Sequence, residues 1–94
     1  MRKYFVQYGE FTNTYRVCYT ENESEEKKAI ERGMERITRK EAIKLCARET
    51  ERRKENPAFS GYASNVILPI GYDGDWRNDI SLEKIGRLIE KKRP

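Results

Sequence analysis

Residues 3–20 run KYFVQYGEFTNTYRVCYT. From Lys3 to Tyr8 and from Thr14 to Thr20 the residue types alternate. Tyr4, Val6 and Tyr8 fall on one face of the first run, and Tyr15, Val17 and Tyr19 on one face of the second. β-Branched and aromatic residues at period two read as strands, and Gly9 to Asn13 supplies a hairpin loop between them. The other faces carry Lys3, Phe5, Gln7, Arg16, Cys18 and Thr20, a mixed and partly wet set.

Downstream of the hairpin the pattern turns helical. Glu21, Glu23, Glu25 and Glu26 stand where acids suit a helix N-terminus, with Asn22 or Ser24 as the cap and Gly33 as the left-handed stop. A second helix opens at Thr38, which forms a Thr-x-x-Glu capping box with Glu41, and closes before Pro57. Ala42, Ile43, Cys46, Ala47 and Thr50 follow helical spacing and are expected to face the core. Phe59 to Ala63 reads as a turn or loop. Val66, Ile67, Leu68 and Ile70 form a short apolar strand that Pro69 confines to an edge or brings to an end. Asp73-Gly74-Asp75 marks a turn, and Ser81 caps a last helix with Leu82, Ile85, Leu88 and Ile89 as its apolar stripe. The expectation is a single α+β domain over residues 1–94. It has a small antiparallel sheet (the N-terminal hairpin plus one later strand) and two to three helices packed on one face.

Composition bounds what such a domain can do. Apolar residues make up 36% of the chain and charged residues 38%, against roughly 25% charged in an average domain. The core is therefore thin, and partners, a second copy included, are a natural source of extra stability. Net charge is +4, and residues 39–55 hold seven Lys/Arg against four Glu, +3 of that total. A basic helix is a candidate surface for an acidic partner. No run approaches the ~20 apolar residues of a membrane span, and the N-terminus lacks the apolar core of a signal peptide. The reading is a soluble, cytoplasmic protein with no membrane partner.

Within the basic helix Lys40, Lys44, Arg48 and Arg52 recur at four-residue intervals. Each step advances ~6 Å and rotates ~40°, giving a slowly winding stripe about 18 Å long. Arg39, Arg53 and Lys54 add charge at its ends. The stripe is open to two readings, a track for nucleic-acid phosphates or an ordinary solvated helix face. The tyrosines Tyr4, Tyr8, Tyr15 and Tyr19 are likewise either stacking platforms for bases or packing beneath the helices. Trp76 is either folded over the core or exposed as a contact anchor, and with Glu23, Glu25 and Glu26 it forms the set of protein-contact candidates.

Catalysis has little to work with. The chain holds no His, which removes Ser-His, Cys-His and His-metal mechanisms together. Cys18 and Cys46 lack paired spacing and make neither a disulfide framework nor a zinc site. Asp73, Asp75 and Asp79 with Asn78 look like part of a calcium loop, but Arg77 stands where an oxygen ligand is wanted and the terminal Glu is missing. No glycine-rich phosphate loop is present. No enzyme, metal or cofactor is expected.

The run Glu35-Arg36-Ile37-Thr38-Arg39-Lys40-Glu41-Ala42-Ile43, a strand-like end entering a capped basic helix, resembles a pattern frequent in small accessory proteins of bacterial phages and integrative mobile elements. The resemblance implies a soluble, charge-rich protein that acts by stoichiometric binding, inhibitors of bacterial immune systems (anti-CRISPR-like proteins) included. Two functions are therefore expected to compete. The first is a binding module that docks on nucleic acid through Arg39, Lys40, Lys44, Arg48, Arg52 and Arg53. The second is a protein-interaction module, an inhibitor or adaptor, that uses Trp76 with Glu23, Glu25 and Glu26; a structural homodimer stands beside it as a further alternative.

Overall fold

A computed structural model describes residues 1–9, 14–55, 63–72 and 89–93. Strand β1 spans Lys3–Tyr8, β2 Tyr15–Thr20, helix α1 Glu23–Glu31, β3 Glu35–Ile37, helix α2 Arg39–Glu55 and β4 Leu68–Pro69. The alternating N-terminal runs do pair as an antiparallel hairpin, with Tyr4 opposite Tyr19, Val6 opposite Val17 and Tyr8 opposite Tyr15. Gly9 N–H donates to Thr14 O at 3.0 Å and closes the hairpin mouth.

Local signals set the helix boundaries. Asn22 Oδ1 accepts from Glu25 N–H at 2.9 Å and caps α1. The helix ends in a Schellman motif: Gly33 N–H donates to Ile30 O and Met34 N–H to Ala29 O, with Gly33 at φ +73°. That left-handed angle is free only to glycine, and Met34 folds back into the same cluster as Ala29. For α2, Thr38 Oγ1 accepts from Glu41 N–H at 3.1 Å while Glu41 Oε1 accepts from Thr38 N–H at 3.2 Å. The capping box is present as the sequence requires.

The sheet has the order β3-β1-β2-β4 and is mixed rather than antiparallel. β3 runs antiparallel to β1, and β4 runs parallel to β2, with Cys18 opposite Leu68. The reason is the long helix. α2 carries the chain back across the sheet from β3, so the strand that follows must point the same way as β3, and hence as β2. β4 ends at Pro69, which has no N–H, and the next donor, Ile70 N–H, bonds Tyr19 O at 3.0 Å. On its far side the backbone of Ile67 exchanges hydrogen bonds with Ile89 and Lys91.

The helices occupy both faces, correcting the expectation of one. Tyr4, Val6, Val17, Tyr19, Ile37 and Ile67 pack under Ala42 and Cys46 of α2. On the reverse face Phe5, Cys18, Val66, Leu68 and Ile70 pack with Ala29 of α1 and Met34. Phe5, Cys18 and Thr20 are buried, so the strand face that reads as mixed is dry at its centre and wettest at Gln7. Val66 to Ile70 is apolar on both sides of the chain because both of its faces are covered, as in parallel strands generally. The helix expected from Ser81, the Asp73–Asp75 turn and nearly all of the Phe59–Ala63 loop lie outside the described residues. Ile89, expected on the stripe of that helix, is not helical: its carbonyl accepts from Ile67 N–H beside the Ile67–Glu90 bridge, while its side chain packs against the α2-side cluster.

Candidate nucleic-acid interface

Helix α2 sorts its charges by periodicity. Ala42, Cys46, Glu49, Thr50 and Arg53 are buried, whereas Lys40, Lys44 and Arg48 are exposed on the opposite side. Ala47, expected in the core, is exposed, and Ile43 is half-buried. Inward positions repeat at 42, 46, 49, 50 and 53, a standard helical face.

Arg53 therefore leaves the set of nucleic-acid contacts. Its guanidinium is buried, with Nε 3.4 Å from Glu49 Oε1, Nη1 donating to Asn65 Oδ1 at 2.6 Å and Nη2 donating to Ala63 O. It clamps the end of α2 to the segment that leads into β4. Glu49 is fully buried and takes Arg52 Nη1 on its other oxygen at 3.2 Å. Arg39 lies 3.7 Å from Glu90, which also accepts from Tyr4 Oη and Arg2.

As the stripe winds, its C-terminal half meets a cleft between α2 and the hairpin mouth. Two adjoining concavities of about 380 and about 500 Å³ share Tyr8, Leu45 and Arg48. The first is completed by Tyr15, Glu49 and Arg52 among others, and the second by Ile37, Glu41 and Lys44. Tyr15 is pinned, its Oη donating to Leu45 O at 2.7 Å. Burial pushes its phenol far above the ordinary value of 10.0, so it stays a donor. Its cross-strand partner Tyr8 is 56% exposed at the cleft rim. The tyrosine set thus divides: Tyr4 and Tyr19 are core, Tyr15 is a wall, and Tyr8 is surface.

Cations outnumber acids around the cleft: Lys44, Arg48 and Arg52 line it with Glu41 and Glu49, and Glu49 is paired with Arg52 and Arg53. Glu41 is held by the helix cap. Lys40, Lys44 and Arg48 have no hydrogen-bond or ion-pair partner among the described residues. Elsewhere on the helix Lys54 pairs with Glu51 at 3.6 Å. The exposed cations without such partners among the described residues thus run from Lys40 to Arg48, and two of them, Lys44 and Arg48, stand at the cleft.

Of the acidic candidates, Glu25 accepts from Arg93 and from Glu21 N–H, and Glu26 pairs with Lys3 at 2.8 Å. Glu23 is exposed. Two of the three are thus engaged within the chain, and Trp76 lies outside the described residues. Both thiols are buried, and burial pushes Cys18 to about 11 and Cys46 to about 12 from the ordinary 9.0. No helix among the described residues is long and apolar enough to cross a membrane.

Sequence reading did not single out Leu45 as a cleft wall or Glu49 as a buried partner. The spacing 42-46-49-53 carried the second signal, but residue type argued against it.

No protein-family model matches the chain, and neither a curated protein nor a solved structure matches it. None of these comparisons bears on the resemblance to accessory proteins of mobile elements.

Proposed function

We propose that this is a non-enzymatic binding module that docks on nucleic acid through the cleft flank of α2. One observation carries the reading: Lys44, Arg48 and Arg52 gather around a cleft with only two carboxylates, of which Glu49 is paired with Arg52 and Arg53 and Glu41 is turned into the helix cap. A polyanion meets there a concentration of cations with little opposing charge. The buried, protonated thiols and the lack of His in the chain support a binding role over a catalytic one. A stoichiometric role of this kind also suits the lifestyle that the Glu35–Ile43 resemblance implies.

The test is salt dependence. Three neutralised phosphates on a duplex give a slope near −2.7 in log–log terms, so affinity falls about 40-fold between ~50 and ~200 mM salt. Lys44→Ala with Arg48→Ala leaves about one contact, and the fall shrinks to roughly fourfold. Salt-independent binding, or an unchanged slope in the double variant, refutes the proposal.

A further inference from the structure

We infer that the cleft selects single-stranded nucleic acid, seating one unpaired base against Tyr8 while the flanking phosphates lie on Lys44 and Arg48. The inference rests on the reading that this face binds nucleic acid at all. What it adds comes from the aromatic and aliphatic half of the cleft.

A duplex presents phosphates and groove edges, with its base faces stacked inside. A flat cationic helix face is enough for it, and a concavity adds nothing. Here the cationic flank borders a concavity whose remaining walls are Ile37, Leu45, Tyr8 and the cap residue Glu41. The domain is short of apolar mass, yet Tyr8 stays exposed beside that concavity, whereas Tyr4 and Tyr19 of the same sheet face are buried. An exposed ring next to unpaired cations is the arrangement in which base stacking and phosphate pairing act together.

The polar groups of the cleft also decide how selective it is. Tyr15 Oη is committed to Leu45 O, Glu41 to the helix cap, and Glu49 to Arg52 and Arg53. Fixed groups for reading a base edge are therefore scarce, whereas stacking accepts any base. The site should tolerate sequence and separate DNA from RNA poorly.

The experiment measures anisotropy of a labelled mixed-sequence oligonucleotide of about 16 nucleotides as single-stranded DNA, single-stranded RNA and duplex DNA. Wild type, Tyr8→Ala, Tyr8→Phe and the Lys44→Ala/Arg48→Ala variant are compared at ~50 and ~200 mM salt. Wild type should bind both single strands more tightly than the duplex. Tyr8→Ala should weaken single-strand binding by about tenfold, within the range of base–aromatic stacking, while its salt slope stays that of wild type. Tyr8→Phe should bind as wild type does. Duplex binding as tight as single-strand binding overturns the inference, as does Tyr8→Ala without effect or with an equal loss on the duplex. In those cases salt-sensitive binding that the Lys44/Arg48 variant abolishes leaves the parent proposal standing. No binding to any of the three probes removes both.

Discussion

Replacing Arg53 with Met removes one charge from a buried cluster and leaves the other behind. Three acceptors lose a donor: Glu49 Oε1, Asn65 Oδ1 and the carbonyl of Ala63. Removing one partner of a buried ion pair costs about 3–5 kcal/mol, because the survivor is left desolvated and uncompensated. The low end applies here, since Glu49 keeps Arg52 at 3.2 Å on its second oxygen. A domain of this length has a total stability of order 9 kcal/mol at ~0.1 kcal/mol per residue, so the variant still folds. With a urea m-value near the low end of 1–3 kcal/mol/M, about 1.3, a loss of ~3 kcal/mol lowers the midpoint by about 2 M.

The assay is urea unfolding followed by circular dichroism, with nucleic-acid affinity measured on the same sample in native buffer. Arg53→Met combined with Glu49→Leu should recover more than half of the loss, since two apolar residues of similar volume no longer strand a charge. The residual deficit, about 1 kcal/mol, belongs to Asn65 and Ala63. Affinity of the folded single variant should stay within about twofold of wild type, where loss of one phosphate contact costs more across the salt range. A loss of stability below ~1 kcal/mol, the level of an exposed pair, refutes the burial argument. A tenfold fall in affinity with stability intact returns Arg53 to the binding face.

Further consequences are local. Thr38→Ala removes the α2 cap and should cost about 1 kcal/mol in the same unfolding assay, with Thr38→Ser close to wild type. Cys18 and Cys46 should resist a thiol reagent in the native state and react with it in denaturant, since both are buried with raised thiol values. The same thiols predict alkaline lability. The unfolded chain gives up these protons near pH 9 while the folded chain holds them to about 11 and about 12. Stability is therefore fully present below about pH 9 and falls by ~1.4 kcal/mol per pH unit per thiol above it. Half-buried Tyr15 adds its own loss above its ordinary 10.0. A urea midpoint that holds steady through about pH 11 contradicts this.

What the sequence discloses and what it hides divides along the range of the interactions. The hairpin, the Asn22 cap, the Gly33 stop and the Thr38–Glu41 box are decided by neighbours a few residues apart, and each is where residue type and spacing put it. The pairing of β4 with β2 depends on which way a long helix returns the chain, a contact between Cys18 and Leu68 that no local pattern encodes. The same holds for the second sheet face. Phe5 and Cys18 read as minor apolar residues on a wet face until Ala29, Met34 and Leu68 arrive from distant segments to cover them.

The basic helix shows why a charge count misplaces a site. Arg48 and Arg53 are the same residue type five positions apart, and a rotation of about 100° per residue sends them to opposite fates. Arg53 lies on the line of Ala42, Cys46 and Glu49 and turns inward, where Glu49 makes its burial tolerable. Arg48 lies toward the solvent and the cleft and has no such partner among the described residues. Two of the helix's eleven charged residues thus neutralise each other inside and cannot attract a ligand. Glu41 keeps its charge, but the cap holds one of its oxygens against Thr38. The cleft's positive character follows less from the number of lysines and arginines than from where the sheet and the cap have placed the glutamates.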